Sequence, residues 1–202
     1  MNYLAHAYLS FREPEILVGN LISDFVKGKK KFSYSDIIQK GITLHRMIDE
    51  FTDHHQATMQ AKVFFKPDFG LYSGAFVDII YDYFLANDKN EFPESELAAF
   101  AGFTYKQLNS YETVFPDKFQ RMFYYMQRQN WLYNYQFKEG IYNSFDGLVR
   151  RAKYMTDHQK AFSIFEDHLA ELKNCYEIFF PDIKAFSLEQ LRLLVKKDES
   201  PH

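Results

Sequence analysis

Apolar residues recur along this chain every three or four positions, and strict alternation is scarce. A period near 3.6 belongs to helices that bury one face, so the pattern predicts an all-α protein. The clearest stripe is Phe162, Phe165, Leu169, Leu172, Tyr176 and Phe179, spaced 3-4-3-4-3, which reads as one amphipathic helix facing a core. Caps mark further starts. Ser35 or Asp36 precedes Ile37 and Ile38, Ser95 precedes Glu96 and Leu97, and Pro116 with Asp117 can open a helix carrying Phe119, Phe123 and Met126. Pro14, Gly28, Pro67 to Gly74, Pro93, Pro116 and Pro181 punctuate the chain, and nothing between them reads as a linker or a repeat. These signals predict a single-domain helical bundle over residues 1–202, with roughly seven or eight helices.

Several polar residues interrupt the pattern from inside. In the run Ala75-Phe76-Val77-Asp78-Ile79-Ile80-Tyr81-Asp82-Tyr83-Phe84-Leu85, Asp78 and Asp82 share one face of a helix that is apolar almost all round. Such a helix is usually buried. A buried carboxylate needs a hydrogen bond, a counter-charge or a metal ion. In the helix predicted over residues 37–55, Ile37, Ile38, Gly41, Ile42, Leu44 and Ile48 define an apolar arc, and His45 falls inside it. Asp49 and Asp53 follow one and two turns later, each about 40° further round. His6 within Leu4 to Leu9, and Asp24 within Leu21 to Val26, are likewise polar residues in apolar company.

Each feature alone has a bland explanation. A histidine on an apolar arc is commonly a satisfied core residue, and the aspartates could equally pair with Arg46 or Lys27. Taken together, two histidines and several carboxylates on four apolar helices can converge only in the interior. Mixed imidazole and carboxylate ligands suit Mn²⁺, Fe²⁺, Mg²⁺ or Zn²⁺, and the lack of cysteine clusters argues against a thiolate site. His54 points away from the His45 face and reads as solvated, while His158 and His168 have no comparable setting.

Composition narrows the function classes. The 22 Phe and 15 Tyr residues are read chiefly as core packing. A formal net charge of −3 offers no global pull toward nucleic acid or membrane. Cys175 is the only cysteine, so no intrachain disulfide can form, and on its aromatic helix it reads as packing. With no signal-like start and no apolar run near about 18 residues, a soluble cytoplasmic protein is expected. Glycine-rich phosphate loops and nucleophile-elbow serines are absent. The basic run Lys27, Lys29, Lys30 and Lys31 begins just after Asp24 and reads either as a solvated loop or as a local patch for an acidic partner. Arg150, Arg151 and Lys153 form a second, weaker basic group.

Four segments together resemble the acyl-carrier-protein phosphodiesterases, also called ACP hydrolases. They are Met1-Asn2-Tyr3-Leu4-Ala5-His6; Gly19-Asn20-Leu21-Ile22-Ser23-Asp24-Phe25-Val26-Lys27-Gly28; Gly41-Ile42-Thr43-Leu44-His45-Arg46-Met47-Ile48-Asp49 with Thr52-Asp53; and Asp78 through Asp82-Tyr83-Phe84-Leu85. The later aromatic helices, including Asn130-Trp131-Leu132, match only in general character. The resemblance implies an all-α fold distantly related to the HD-domain phosphohydrolases. It also implies a divalent metal, typically Mn²⁺ with Mg²⁺ or Fe²⁺ as alternatives. The implied reaction cuts the phosphodiester joining 4′-phosphopantetheine to a serine of acyl carrier protein.

On this reading Asp24, His45, Asp49 and Asp82, which fall on the family's motif positions, are metal ligands, and His6 joins them from the burial pattern. Asp24 and Asp49 also serve proton transfer or water orientation, with Asp53 the alternative to Asp49 in that role, Arg46 aids a phosphate oxygen, and Asp78 and Asp53 hydrogen-bond the ligand set. The lysine run meets the acidic carrier protein. One position departs from the pattern: relatives often carry His directly after the second aspartate of the last motif, and here it is Tyr83. Two other readings stay open, namely an HD-type hydrolase of a nucleotide or small phosphoester, and a non-enzymatic helical interaction module.

Overall fold

The computed structural model describes residues 1–152 and 157–196, and Lys153 of the second basic group lies outside them. Among the described residues the regular structure is helical throughout, with no strand. Eleven α-helices run in chain order: α1 (Tyr3–Tyr8), α2 (Pro14–Ile22), α3 (Asp36–His54), α4 (Gln56–Phe69), α5 (Ser73–Asn87), α6 (Glu96–Asn109), α7 (Asp117–Arg128), α8 (Trp131–Asn134), α9 (Lys138–Arg151), α10 (His158–Asp167) and α11 (Leu169–Lys196). None of them is long and apolar enough to cross a membrane.

The count exceeds the expected seven or eight, partly because α1 and α8 are too short to show a period. The long aromatic stripe also divides in two. Phe162 and Phe165 lie on α10, which packs against α9, whereas Leu172, Tyr176 and Phe179 lie on α11, which packs against α3 and α4. The chain turns between them at His168, whose ring stacks on Phe64 with centroids 4.3 Å apart. Pro67 and Pro181, expected as breaks, sit inside α4 and α11. An interior proline costs about 3 kcal/mol. Burial of Phe65 and Phe69 around the first, and of Phe179, Phe180 and Ile183 around the second, offsets this at roughly 1.5–3 kcal/mol per large side chain.

The caps behave unequally. Ser35 Oγ accepts from the Ile38 amide at 3.3 Å and starts α3, as expected. Ser95 precedes α6 but makes no side-chain cap, because its left-handed backbone (φ +68°) is not the extended conformation that aims Oγ at the helix amides. On α3, Ile38, Gly41, Ile42, Leu44, His45 and Ile48 are buried, while Ile37, assigned to the same arc, is exposed.

The backbones of α2 and α3 touch at two glycines. A Cβ on Gly41 would collide with the Ile16 carbonyl and lie 2.9 Å from Gly19 Cα, and one on Gly19 would strike the Ile38 carbonyl. This contact decides where the site lies. Asn20 follows Gly19, and His45 stands one turn beyond Gly41, so close approach of the helices brings their polar side chains together.

Candidate metal centre

A six-residue helix such as α1 has little stability of its own. It is held from its N-terminal end by Asp82 of α5, whose two carboxylate oxygens accept from the amides of Leu4 (2.8 Å) and Ala5 (3.0 Å). Each oxygen thus accepts one backbone amide, and the residue is fully buried. Asp82 was expected as a metal ligand; here it caps α1 and so sets the rotation of the helix that carries His6. Burial pushes its carboxyl up to about 7, with the two amides pulling the other way. Replacing Asp82 with alanine strands two buried amides, so metal-free stability is expected to fall by about 3 kcal/mol in urea denaturation. A residue acting only as a ligand would leave metal-free stability unchanged.

His6 and His45 meet face to face, with ring centroids 4.0 Å apart and planes inclined by 19°. Their Nδ1 atoms lie 2.8 Å and 3.2 Å from the same acceptor, Asn20 Oδ1. Their Nε2 atoms each lie 3.1 Å from Asp49, one on each carboxylate oxygen. Ligand atoms of His6, His45 and Asp49 all fall within 4.8 Å of one another. Asp24, at the end of α2 in a 3₁₀ turn (Ser23–Phe25), places Oδ1 3.3 Å from His45 Nε2 while its side chain stays 68% exposed. The cluster therefore has a buried wall of imidazoles and a wet edge at Asp24.

The electrostatics show what the pair lacks. Burial, reinforced by His45, lowers the His6 pKa to about 4. For His45 burial also acts downward, but hydrogen bonds to Asp24 and Asp49 overcome it and lift the pKa to about 9. Burial alone would raise the Asp49 carboxyl, yet His45, His6 and the Met1 amino group hold it well below the usual carboxylate range. At neutral pH His45 therefore carries a proton in the metal-free protein, while His6 is neutral. Once that proton leaves, two imidazole nitrogens and a carboxylate face one point, and imidazole with carboxylate is a donor set that divalent Mn, Fe or Zn accepts.

The remaining expected residues lie elsewhere. Asp78 pairs with the buried Met1 amino group at 3.0 Å, and that group also lies 3.6 Å from Asp49. Asp53 has rotated out of reach and pairs with Lys62 of α4 at 2.7 Å. Arg46 is exposed and donates through Nη2 to the Val26 carbonyl at 3.2 Å, bracing the segment after Asp24 rather than facing the cluster. Lys27, Lys29 and Lys30 are exposed, while Lys31 is half-buried beside Phe32; the last three belong to a 3₁₀ segment (Gly28–Ser33). Tyr83 packs its ring edge-on against Phe165 of α10, 5.4 Å between centroids, so the departure from the motif falls in an aromatic contact. Asn20 was not singled out, although it too is a polar residue in an apolar run, between Gly19 and Leu21-Ile22.

A protein of Photorhabdus laumondii named acyl carrier protein phosphodiesterase is 32% identical over 90% of this chain and 92% of its own length. Proteins of the same name from Salmonella paratyphi A and Yersinia pestis are 27% and 29% identical, over 92% and 90% of this chain and 96% and 94% of theirs. No solved structure matches the chain. The family model described as acyl carrier protein phosphodiesterase matches residues 1–183. The chain belongs to the acyl carrier protein phosphodiesterase family and is a phosphodiester hydrolase.

Proposed function

We propose that this chain hydrolyses the phosphodiester joining 4′-phosphopantetheine to a serine of holo-acyl carrier protein, releasing 4′-phosphopantetheine and the apo-protein, with a divalent cation held by His6, His45 and Asp49. The observation that carries the reading is the convergence of two imidazole Nε2 atoms on one carboxylate within a chain of this family. Mn²⁺ is the first candidate, and Mg²⁺ or Fe²⁺ are the alternatives. A bound divalent cation would supply Lewis acidity, easing ionisation of water and offsetting charge on the phosphoryl oxygens.

The chain's own groups do the rest. His6, His45 and Asp49 form a fixed wall against which the phosphodiester is positioned. Asp24, at the wet edge, is placed to take a proton from the attacking water and return it to the departing serine oxygen. In the metal-free protein its carboxyl is lowered by the hydrogen bond from His45, and a cation on that nitrogen would likewise favour the ionised form that a base requires. The exposed lysines next along the chain give an acidic carrier protein a local attraction despite the net charge of −3.

The direct test incubates the purified, Mn²⁺-loaded protein with holo-acyl carrier protein and follows loss of the prosthetic-group mass. Absence of conversion across a range of carrier proteins would remove the substrate assignment. Proton linkage offers a separate check. Metal-free His45 keeps its proton until about pH 9, and a cation needs the same Nε2 lone pair. Binding of Mn²⁺ at neutral pH is therefore expected to release about one proton per ion, with apparent affinity climbing as the pH rises toward that pKa. Calorimetric titration in two buffers of different ionisation enthalpy reads the number directly. A value of zero would place the cation away from His45.

A further inference from the structure

We propose that Asn20 is a positioning residue for the centre: its amide oxygen holds both imidazoles as their Nδ1–H tautomers and thereby aims both Nε2 lone pairs at one cation. This rests on the reading that His6, His45 and Asp49 hold a metal.

The orientation of the amide is settled by its other end. Asn20 Nδ2 donates to the His6 carbonyl at 3.0 Å and to Ser10 Oγ at 3.0 Å, and Ser10 Oγ in turn donates to the same carbonyl at 2.8 Å. Flipping the amide would set an oxygen against the His6 carbonyl oxygen and lose both donations. Oδ1 is thereby left facing the two Nδ1 atoms, at 2.8 Å and 3.2 Å. An oxygen has no proton to give, so each ring must supply one from Nδ1. With Nδ1 occupied, Nε2 is the only lone pair a neutral imidazole has left, and both Nε2 atoms face Asp49.

One fully buried side chain therefore does for two ligands what separate hydrogen-bond acceptors do in ordinary metal sites. It also bears on how two imidazoles stack 4.0 Å apart: their Nδ1 dipoles converge on one acceptor, and a shared cation would relieve repulsion between their Nε2 lone pairs.

Zn²⁺ alone, added to the full chain, is a suitable diamagnetic probe. In the ¹⁵N-histidine-labelled, Zn²⁺-loaded wild type, His6 and His45 are expected to carry their ring protons on Nδ1 in long-range ¹H–¹⁵N spectra. Asn20→Leu, of similar volume and without an acceptor, is expected to weaken Zn²⁺ binding roughly 10- to 100-fold, the usual cost of losing an outer hydrogen-bond partner. Asn20→Asp keeps an acceptor for both Nδ1 atoms but sets its other oxygen against the His6 carbonyl and loses both donations, so it should recover only part of that loss, and any recovery is more than a purely packing role would predict. Wild-type affinity in Asn20→Leu overturns the proposal, and so do ring protons on Nε2 in the wild type, a measurement that needs no variant to fold. A wild type that binds no Zn²⁺ overturns the metal reading and this proposal together, whereas unchanged affinity in Asn20→Leu overturns only the role of Asn20.

Discussion

Asp49→Asn is expected to lower turnover of holo-acyl carrier protein by at least about a thousandfold, equivalent to roughly 4 kcal/mol of transition-state stabilisation. The size follows from its position. Asp49 is the carboxylate that touches both Nε2 atoms, one through each oxygen. An asparagine of the same shape turns one oxygen into an NH₂ group, which points protons at the lone pair a cation would use. It also removes the charge that helps keep His45 protonated in the metal-free protein. Mn²⁺ affinity should fall with activity, while helical content by circular dichroism should not change. Asp53→Asn is the matched control: the same chemical change, one turn along the same helix, on a carboxylate that pairs with Lys62 at the surface. Its turnover should stay within about twofold of the wild type, as surface ion pairs contribute little. Equal losses in the two variants would mean that the cluster is not the reacting centre.

What the sequence reveals, and what it conceals, follows from how far each residue's partner lies along the chain. His45 and Asp49 are one turn apart on α3, so helical period alone predicts that they share a face, and the structure has both on Asp49's side of the cluster. His6 and Asp24 stand out because a polar side chain in an apolar run must be satisfied somewhere. The same rule finds Asp82 but does not say what satisfies it. A buried carboxylate is satisfied as well by two backbone amides as by a metal, and the amides of Leu4 and Ala5 are far away in sequence and carry no side-chain signal. Asp53 shows the opposite failure: the drift of about 40° per turn that keeps Asp49 near His45 carries Asp53 out to α4. The all-α class is legible from period, but the number of helices is not. His168 breaks a continuous stripe because α10 and α11 answer to different neighbours, a fact of packing rather than of pattern.

Gly41→Ala is expected to destabilise the protein by at least about 2 kcal/mol, although the same change raises intrinsic helix propensity by about 1 kcal/mol. The added methyl would meet backbone: the Ile16 carbonyl inside van der Waals contact, Ile16 carbonyl carbon at 3.0 Å and Gly19 Cα at 2.9 Å. Backbone cannot rotate aside as a side-chain tip can, so α2 and α3 must separate, by an amount on the order of 1 Å. His45 Nδ1 lies 3.2 Å from Asn20 Oδ1 across that seam, and such a separation would stretch the contact beyond hydrogen-bonding range. Activity should then fall further than stability alone explains, since a 1 Å misplacement can cost about a hundredfold. Gly102 of α6 supplies the contrast, because a Cβ there meets nothing within 4 Å. Gly102→Ala should raise stability by roughly 0.4–1 kcal/mol and leave turnover unchanged. Denaturant midpoints for the two variants are thus expected to move in opposite directions. If both move upward, the glycine contact is not what sets the distance between the helices, and the centre must be held together by its hydrogen bonds alone.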